Sequence, residues 1–167
     1  SAVSAIGKSV AFSVVDVSVS SATTSAPAIK KIDQTFTVKT KSDATYLMMY
    51  KEDGGLVKTW AASGNSTVSG TTRTWTVKYA FSNAGNRTMT FKGGVKSGAA
   101  GSGGKNLTFK IEDAGVISAS CNSAVLLKQA LTFTVKTNSD AQYLIMCKED
   151  GSEVTSWAAS GNSTVSG

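Results

Sequence analysis

Two tryptophans stand in identical surroundings: Trp60 and Trp157 each open the run WAASGNSTVSG. An indole face set beside Asn65 and Ser66, or beside Asn162 and Ser163, is suited to stacking on a sugar ring while the amide and hydroxyl take its hydroxyls. Trp60, Asn65, Trp157 and Asn162 are therefore candidate ligand-binding residues. The competing reading is a core indole packed between sheets, because Trp is highly buried on average. Strand parity leaves the two open: Trp60 shares parity with Leu56, but the residue equivalent to Leu56 in the second run is Glu153.

Cys121 and Cys147 align with Thr24 and Tyr50, so both cysteines belong to the second copy of a repeated segment. Their joint presence fits a disulfide formed in an oxidising compartment, and two independent substitutions fit equally. The repeated acids are Asp16 and Asp113, Asp43 and Asp140, and the pairs Glu52-Asp53 and Glu149-Asp150. A calcium site between successive domains would need several oxygens to converge. Only Asp16 or Asp113, with Glu112, is expected at a junction, so these acids read as solvated turn residues and no metal is expected. A Lys–Asn crosslink would need a buried lysine. Lys39 and Lys78, the candidates for pairing with Asn86 or Asn106, lie on the polar parity of their strands. The sequons at Asn65, Asn86, Asn106 and Asn162 read as incidental.

The chain has no histidine. That removes the commonest general base, the commonest metal ligand and the usual partner of a nucleophilic Ser or Cys. No cofactor motif is present, and the reading is not an enzyme. The net charge is +6, but the lysines are scattered singly, at Lys39, Lys51, Lys78, Lys92, Lys110, Lys136 and Lys148. A nucleic-acid binder would concentrate them on one face with interleaved aromatics, so no nucleic acid is expected. Apolar runs are too short to span a membrane as helices. Residues 1–4 carry no signal-peptide pattern, which places any secretion signal outside this sequence.

These residues hang on a repeat. SDATYLMMYKEDGGLVKTWAASGNSTVSG (42–70) returns at 139–167 with 22 of 29 positions identical, at an offset of 97, and FTVKT (36–40) returns unchanged at 133–137. On the same offset GKSVAFSVVD (7–16) falls on GKNLTFKIED (104–113). The expected organisation is the last strand of a preceding repeat (1–18), one complete repeat (19–115) and the first part of a following repeat (116–167). The periodicity is that of strands. Trp75, Val77, Tyr79 and Phe81 alternate with polar residues, as do Met89 and Phe91, Leu107, Phe109 and Ile111, and Phe36 and Val38. YLMMY (46–50) is apolar on both faces, as a central strand can be. The Asp-Gly steps at 53–54 and 150–151 predict type I′ hairpin turns. The segment 93–106 holds six glycines and reads as a flexible loop. Seven strands at this spacing predict an all-β, immunoglobulin-like antiparallel β-sandwich in a tandem array.

The stretch YLMMYKEDGGLVKTW…TRTWTVKYAFSNAGNRTMTFKG resembles the Ig-like repeats of large cell-surface or secreted proteins of Gram-positive gut and rumen bacteria. The resemblance is carried by Tyr79, Phe81, Ala84, Gly85, Arg87, Thr88, Thr90 and Phe91. It implies an extracellular or cell-surface location and a stalk or adhesive role beside other domains. The expected function is a non-catalytic spacer or assembly module whose partners are neighbouring repeats or copies of itself, joined by strand exchange. The alternative is a module binding glycan or cell-wall polymer through Trp60 and Trp157.

Overall fold

The computed structural model describes residues 11, 13–25, 27–121 and 130–165. They contain thirteen strands and no helix. The strands are β1 (Val19–Thr24), β2 (Ala28–Ile29), β3 (Asp33–Lys41), β4 (Tyr46–Tyr50), β5 (Leu56–Ala61), β6 (Ser66–Ser69) and β7 (Thr72–Ala80), followed by β8 (Gly85–Gly94), β9 (Gly104–Glu112), β10 (Val116–Cys121), β11 (Phe133–Thr137), β12 (Tyr143–Cys147) and β13 (Glu153–Ala158). The frequent Val and Thr residues explain this choice, since branched side chains fit a pleated surface better than a helix. Residues 1–10, and with them most of the segment read as a preceding repeat's closing strand, lie outside the described residues; the next strand begins at Val19.

A four-stranded sheet has the order β1-β3-β7-β6, and a five-stranded sheet the order β2-β9-β8-β4-β5. Two further sheets have two strands each, β10-β11 and β12-β13. β4 pairs antiparallel with both β5 and β8, and β6 pairs antiparallel with β7. β2 lies parallel to β9.

Spatial proximity groups the chain into two compact units. Among the described residues, the first comprises those within 11–22, 38–75 and 90–106. Its interior holds Val38, Leu47, Met48, Met49, Trp60, Trp75 and Phe91. The indole N–H of the fully buried Trp75 donates to Thr40 Oγ1 at 3.0 Å, so its polar edge is satisfied without water. The second comprises the described residues within 23–37, 76–89, 107–121 and 130–165. Its centre is an aromatic cluster in which Phe36, Phe81 and Phe109 meet edge to face at 5.5–6.3 Å, with Tyr79 against Phe81 at 4.8 Å. Such geometry sets the positive ring edge on the negative face.

The turns at both Asp-Gly steps differ from the type I′ expectation. Only the glycines, Gly54 and Gly151, have positive φ (83° and 82°), whereas a type I′ turn needs two such residues. Gly54 N–H instead donates back to Lys51 O at 3.0 Å, and Gly151 N–H to Lys148 O at 2.9 Å. Asp53 Oδ1 accepts the Gly55 amide and Asp150 Oδ1 the Ser152 amide, both at 2.8 Å. An Asp side chain that bonds its own backbone two residues on stabilises this longer turn, and a register shift follows in each hairpin.

The six-glycine segment is not a free loop. Gly93 and Gly94 belong to β8 and are buried, and Gly104 opens β9. A Cβ on Gly93 would overlap the Val17 carbonyl, and one on Gly94 would overlap the Ala99 carbonyl and approach Met48 Cε to 2.6 Å. Gly101 N–H donates to Gly93 O at 2.8 Å, and Val19 N–H to Gly103 O at 3.3 Å. The glycines permit close backbone approach, which composition alone cannot distinguish from flexibility.

Candidate functional site

Cross-strand register decides the face of each tryptophan. Trp60 stands directly opposite Leu47, and Leu47 opposite Gly93. Residues in direct opposition share a face. Trp60 therefore lies on the face of Leu47, Met49 and Phe91, and only 8% of it is exposed. Leu56, at the far end of β5, is half exposed, which explains why Glu153 can take its place. Trp157 stands opposite Leu144 in the same way, but it is only half-buried.

The two asparagines bond to their own turns. Asn65 Nδ2 donates to Ala61 O at 3.0 Å and to Ser63 O at 3.2 Å. Asn162 Nδ2 donates to Ala158 O at 3.0 Å and to Ser160 O. Cys121 and Cys147 are free, exposed thiols, each at the end of a strand and in different sheets. Lys39, Lys78, Asn86 and Asn106 are all exposed.

Sequence reasoning placed Asp16 and Asp113 at junctions but missed the bonds that hold them. In the first, Asp16 N–H donates to Asp43 Oδ2 at 3.3 Å, Ser18 N–H donates to Asp16 Oδ1 at 2.9 Å, and Lys41 N–H donates to Ser18 O at 3.1 Å. Ninety-seven residues later the three bonds recur: Asp113 N–H to Asp140 Oδ2 at 3.1 Å, Gly115 N–H to Asp113 Oδ1 at 3.2 Å, and Asn138 N–H to Gly115 O at 3.0 Å. Asp43 and Asp140 lie in turns, as expected, with Asp43 exposed, and they also anchor the backbone that runs into β1 and β10. The available signal was that both acids repeat on the 97-residue offset.

The second junction also carries two ion pairs. Lys30 Nζ pairs with Asp113 Oδ2, and Lys110 Nζ with Asp140 Oδ1 at 2.8 Å. Lys30 holds the Asp113 carboxyl below its ordinary value, helped by the Gly115 amide. Lys110 does the same for Asp140, helped by the Asp113 amide, and is itself raised by that partner. At the first junction the Ser18 amide lowers Asp16. Carboxylates already bonded to ammonium groups and amides are poorly placed to converge on a cation. Among the described residues no three His, Cys, Asp or Glu side chains cluster.

The second feature is a set of exposed apolar side chains on β10–β13. Phe133, Tyr143 and Ile145 are 45%, 67% and 54% exposed, and Val116, Ile117 and Val154 are exposed as well. A hollow of about 380 Å³ beside Tyr143 is lined in part by Ala141, Gln142 and Ala158.

Compared with family models, curated proteins and solved structures, the chain matches none.

Proposed function

We propose that the chain is a non-catalytic structural module, an immunoglobulin-like sandwich repeated in tandem that spaces or assembles an extracellular surface protein. The observation that carries this reading is the pair of junctions, where three backbone-directed bonds recur at the sequence offset. A linker held by repeated hydrogen bonds transmits orientation and tension, which an unbonded tether does not.

The strand orders support the finer fold. β1-β3-β7-β6 and β2-β9-β8-β4-β5 follow the ABED and GFC-type sheets of immunoglobulin-like sandwiches, with β5 in the place of the additional strand beside C. Burial of Trp60 and the internal use of Asn65 favour the structural role over a sugar platform.

Single-molecule stretching of the full chain tests the proposal. The expected trace has no low-force extension of the segments at 16–18 and 113–115. Asp43→Ala and Asp140→Ala should each introduce one without changing the main unfolding event. A wild-type trace already showing that extension would overturn the reading.

A further inference from the structure

We infer that Lys110 makes the second junction an ion-paired clamp whose grip on the strand weakens with ionic strength, a dependence that the first junction lacks at the corresponding position. This deepens the structural reading above and rests on it, because it takes the two junctions as copies of one design.

The comparison uses positions present at both junctions. On the 97-residue offset Asp113, Gly115, Asn138 and Asp140 correspond to Asp16, Ser18, Lys41 and Asp43, and Lys110 corresponds to Ser13. In each, one oxygen of the second aspartate holds a backbone N–H: Asp43 Oδ2 that of Asp16, and Asp140 Oδ2 that of Asp113. The other oxygen differs. Asp140 Oδ1 accepts Lys110 Nζ at 2.8 Å, and the Asp140 side chain is 26% exposed. Ser13 carries no charge, Asp43 is exposed, and the ion pairs among the described residues do not include it. Lys41 does act at the first junction, but on Asp16, and less than the Ser18 amide and hydroxyl do.

A carboxylate bonded through one oxygen can turn about its own axis. Lys110 holds the second oxygen of Asp140 by a charge-assisted bond, so the first stays aimed at the Asp113 N–H whenever the strand reopens and closes. The other charges beside the pair are Glu112, which favours the Lys110 ammonium after Asp140 does, and Lys30 on Asp113. The Lys110 side chain is 53% exposed, so this bond is open to screening and its contribution is small. Acid does not separate the two junctions, because Asp16 is lowered by its Ser18 bonds as Asp140 is by Lys110. Salt does separate them, since it screens the ammonium–carboxylate attraction far more than an amide–carboxylate bond.

Hydrogen exchange of the full chain, followed by NMR, tests this at about 10 mM and about 1 M NaCl, between which the screening length falls from about 30 Å to about 3 Å. Lys110→Ser should lower the protection of the Asp113 amide roughly twofold to fivefold at low salt and leave it unchanged at high salt. Ser13→Lys should raise the protection of the Asp16 amide by a similar factor, again at low salt only. Lys110→Arg should behave as the wild type. A Lys110→Ser effect of equal size at both salt concentrations would overturn the inference, because Lys110 would then act by packing and not by charge. No effect at low salt, or no gain from Ser13→Lys, would overturn it as well. These failures leave the structural proposal standing; Asp16 and Asp113 amides both unprotected in the wild type would sink the two together.

Discussion

Residues 33–66 and 130–163 carry nearly the same sequence, and they fold into the same local pieces with different burial. Both contain a strand of FTVKT, an aspartate anchoring the incoming backbone, and a hairpin closed by Lys-Glu-Asp-Gly. Both end on a turn in which an asparagine amide and a serine hydroxyl bond back to the chain; Ser66 Oγ to Ala62 O and Ser163 Oγ to Ala159 O are each 2.9 Å. Yet Leu47, Met48 and Met49 are wholly buried, while Tyr143 and Ile145 stand exposed. Hairpins and turns thus form from local bonds alone. The interior requires β7, β8 and β9, which are close to the first segment only after folding.

The largest expected effect sharpens this contrast. Phe36→Ala should cost about 3–5 kcal/mol by urea unfolding, because it empties a filled site. Phe133→Ala should cost about 1 kcal/mol or less, since much of that ring is already in water. Equal costs would break the comparison.

Gly93→Ala should cost about 1–3 kcal/mol, as its methyl group meets the Val17 carbonyl and comes within 3.1 Å of Ala44 Cβ. A variant as stable as the wild type would return the 93–106 segment to the status of a loose loop.

The junction should respond to acid. Asp113 and Asp140 have carboxyls lowered in the folded chain, so their contribution is present above the ordinary aspartate value of 3.8 and is lost as pH falls through the lower folded values. Exchange of the Asp113 and Asn138 amides should therefore accelerate in that acid range. Asp140→Ala should produce a similar acceleration at neutral pH, roughly threefold to tenfold, the worth of one backbone hydrogen bond. Unchanged exchange would mean that these carboxylates do not hold the strand.

The smallest effect is Leu56→Glu, which installs the second copy's residue in the first. At a half-exposed position it should change stability by no more than about 0.5 kcal/mol. A larger loss would place Leu56 in the interior and reopen the question of which way β5 faces.

Strand positions were legible because alternation of Trp75, Val77 and Phe81, or of Met89 and Phe91, is a period-two signal independent of partners. The burial of YLMMY was legible for a different reason, a short continuous apolar run that leaves neither face polar. The orientation of Trp60 was not, because both faces of β5 mix apolar and polar residues (Leu56, Lys58 and Trp60 against Val57, Thr59 and Ala61), and only a neighbouring strand assigns them. The junction bonds were hidden because Asp16 and Asp43, or Asp113 and Asp140, are 27 residues apart and their pairing leaves no local pattern.

Sequence alone was enough for the 97-residue offset, for the strands with clear alternation, for the places though not the type of the turns at Gly54 and Gly151, and for the placing of both cysteines in one copy. Each follows from short-range rules: side-chain alternation, the φ freedom of glycine, or simple identity at an offset. Only the tertiary structure decided that the glycines of 93–104 serve close packing, that two aspartates hold each junction, and that one copy of a strand is buried while the other is bare. Those outcomes depend on which backbone arrives alongside, and hydrogen bonds and apolar contacts between distant segments are fixed by that arrival.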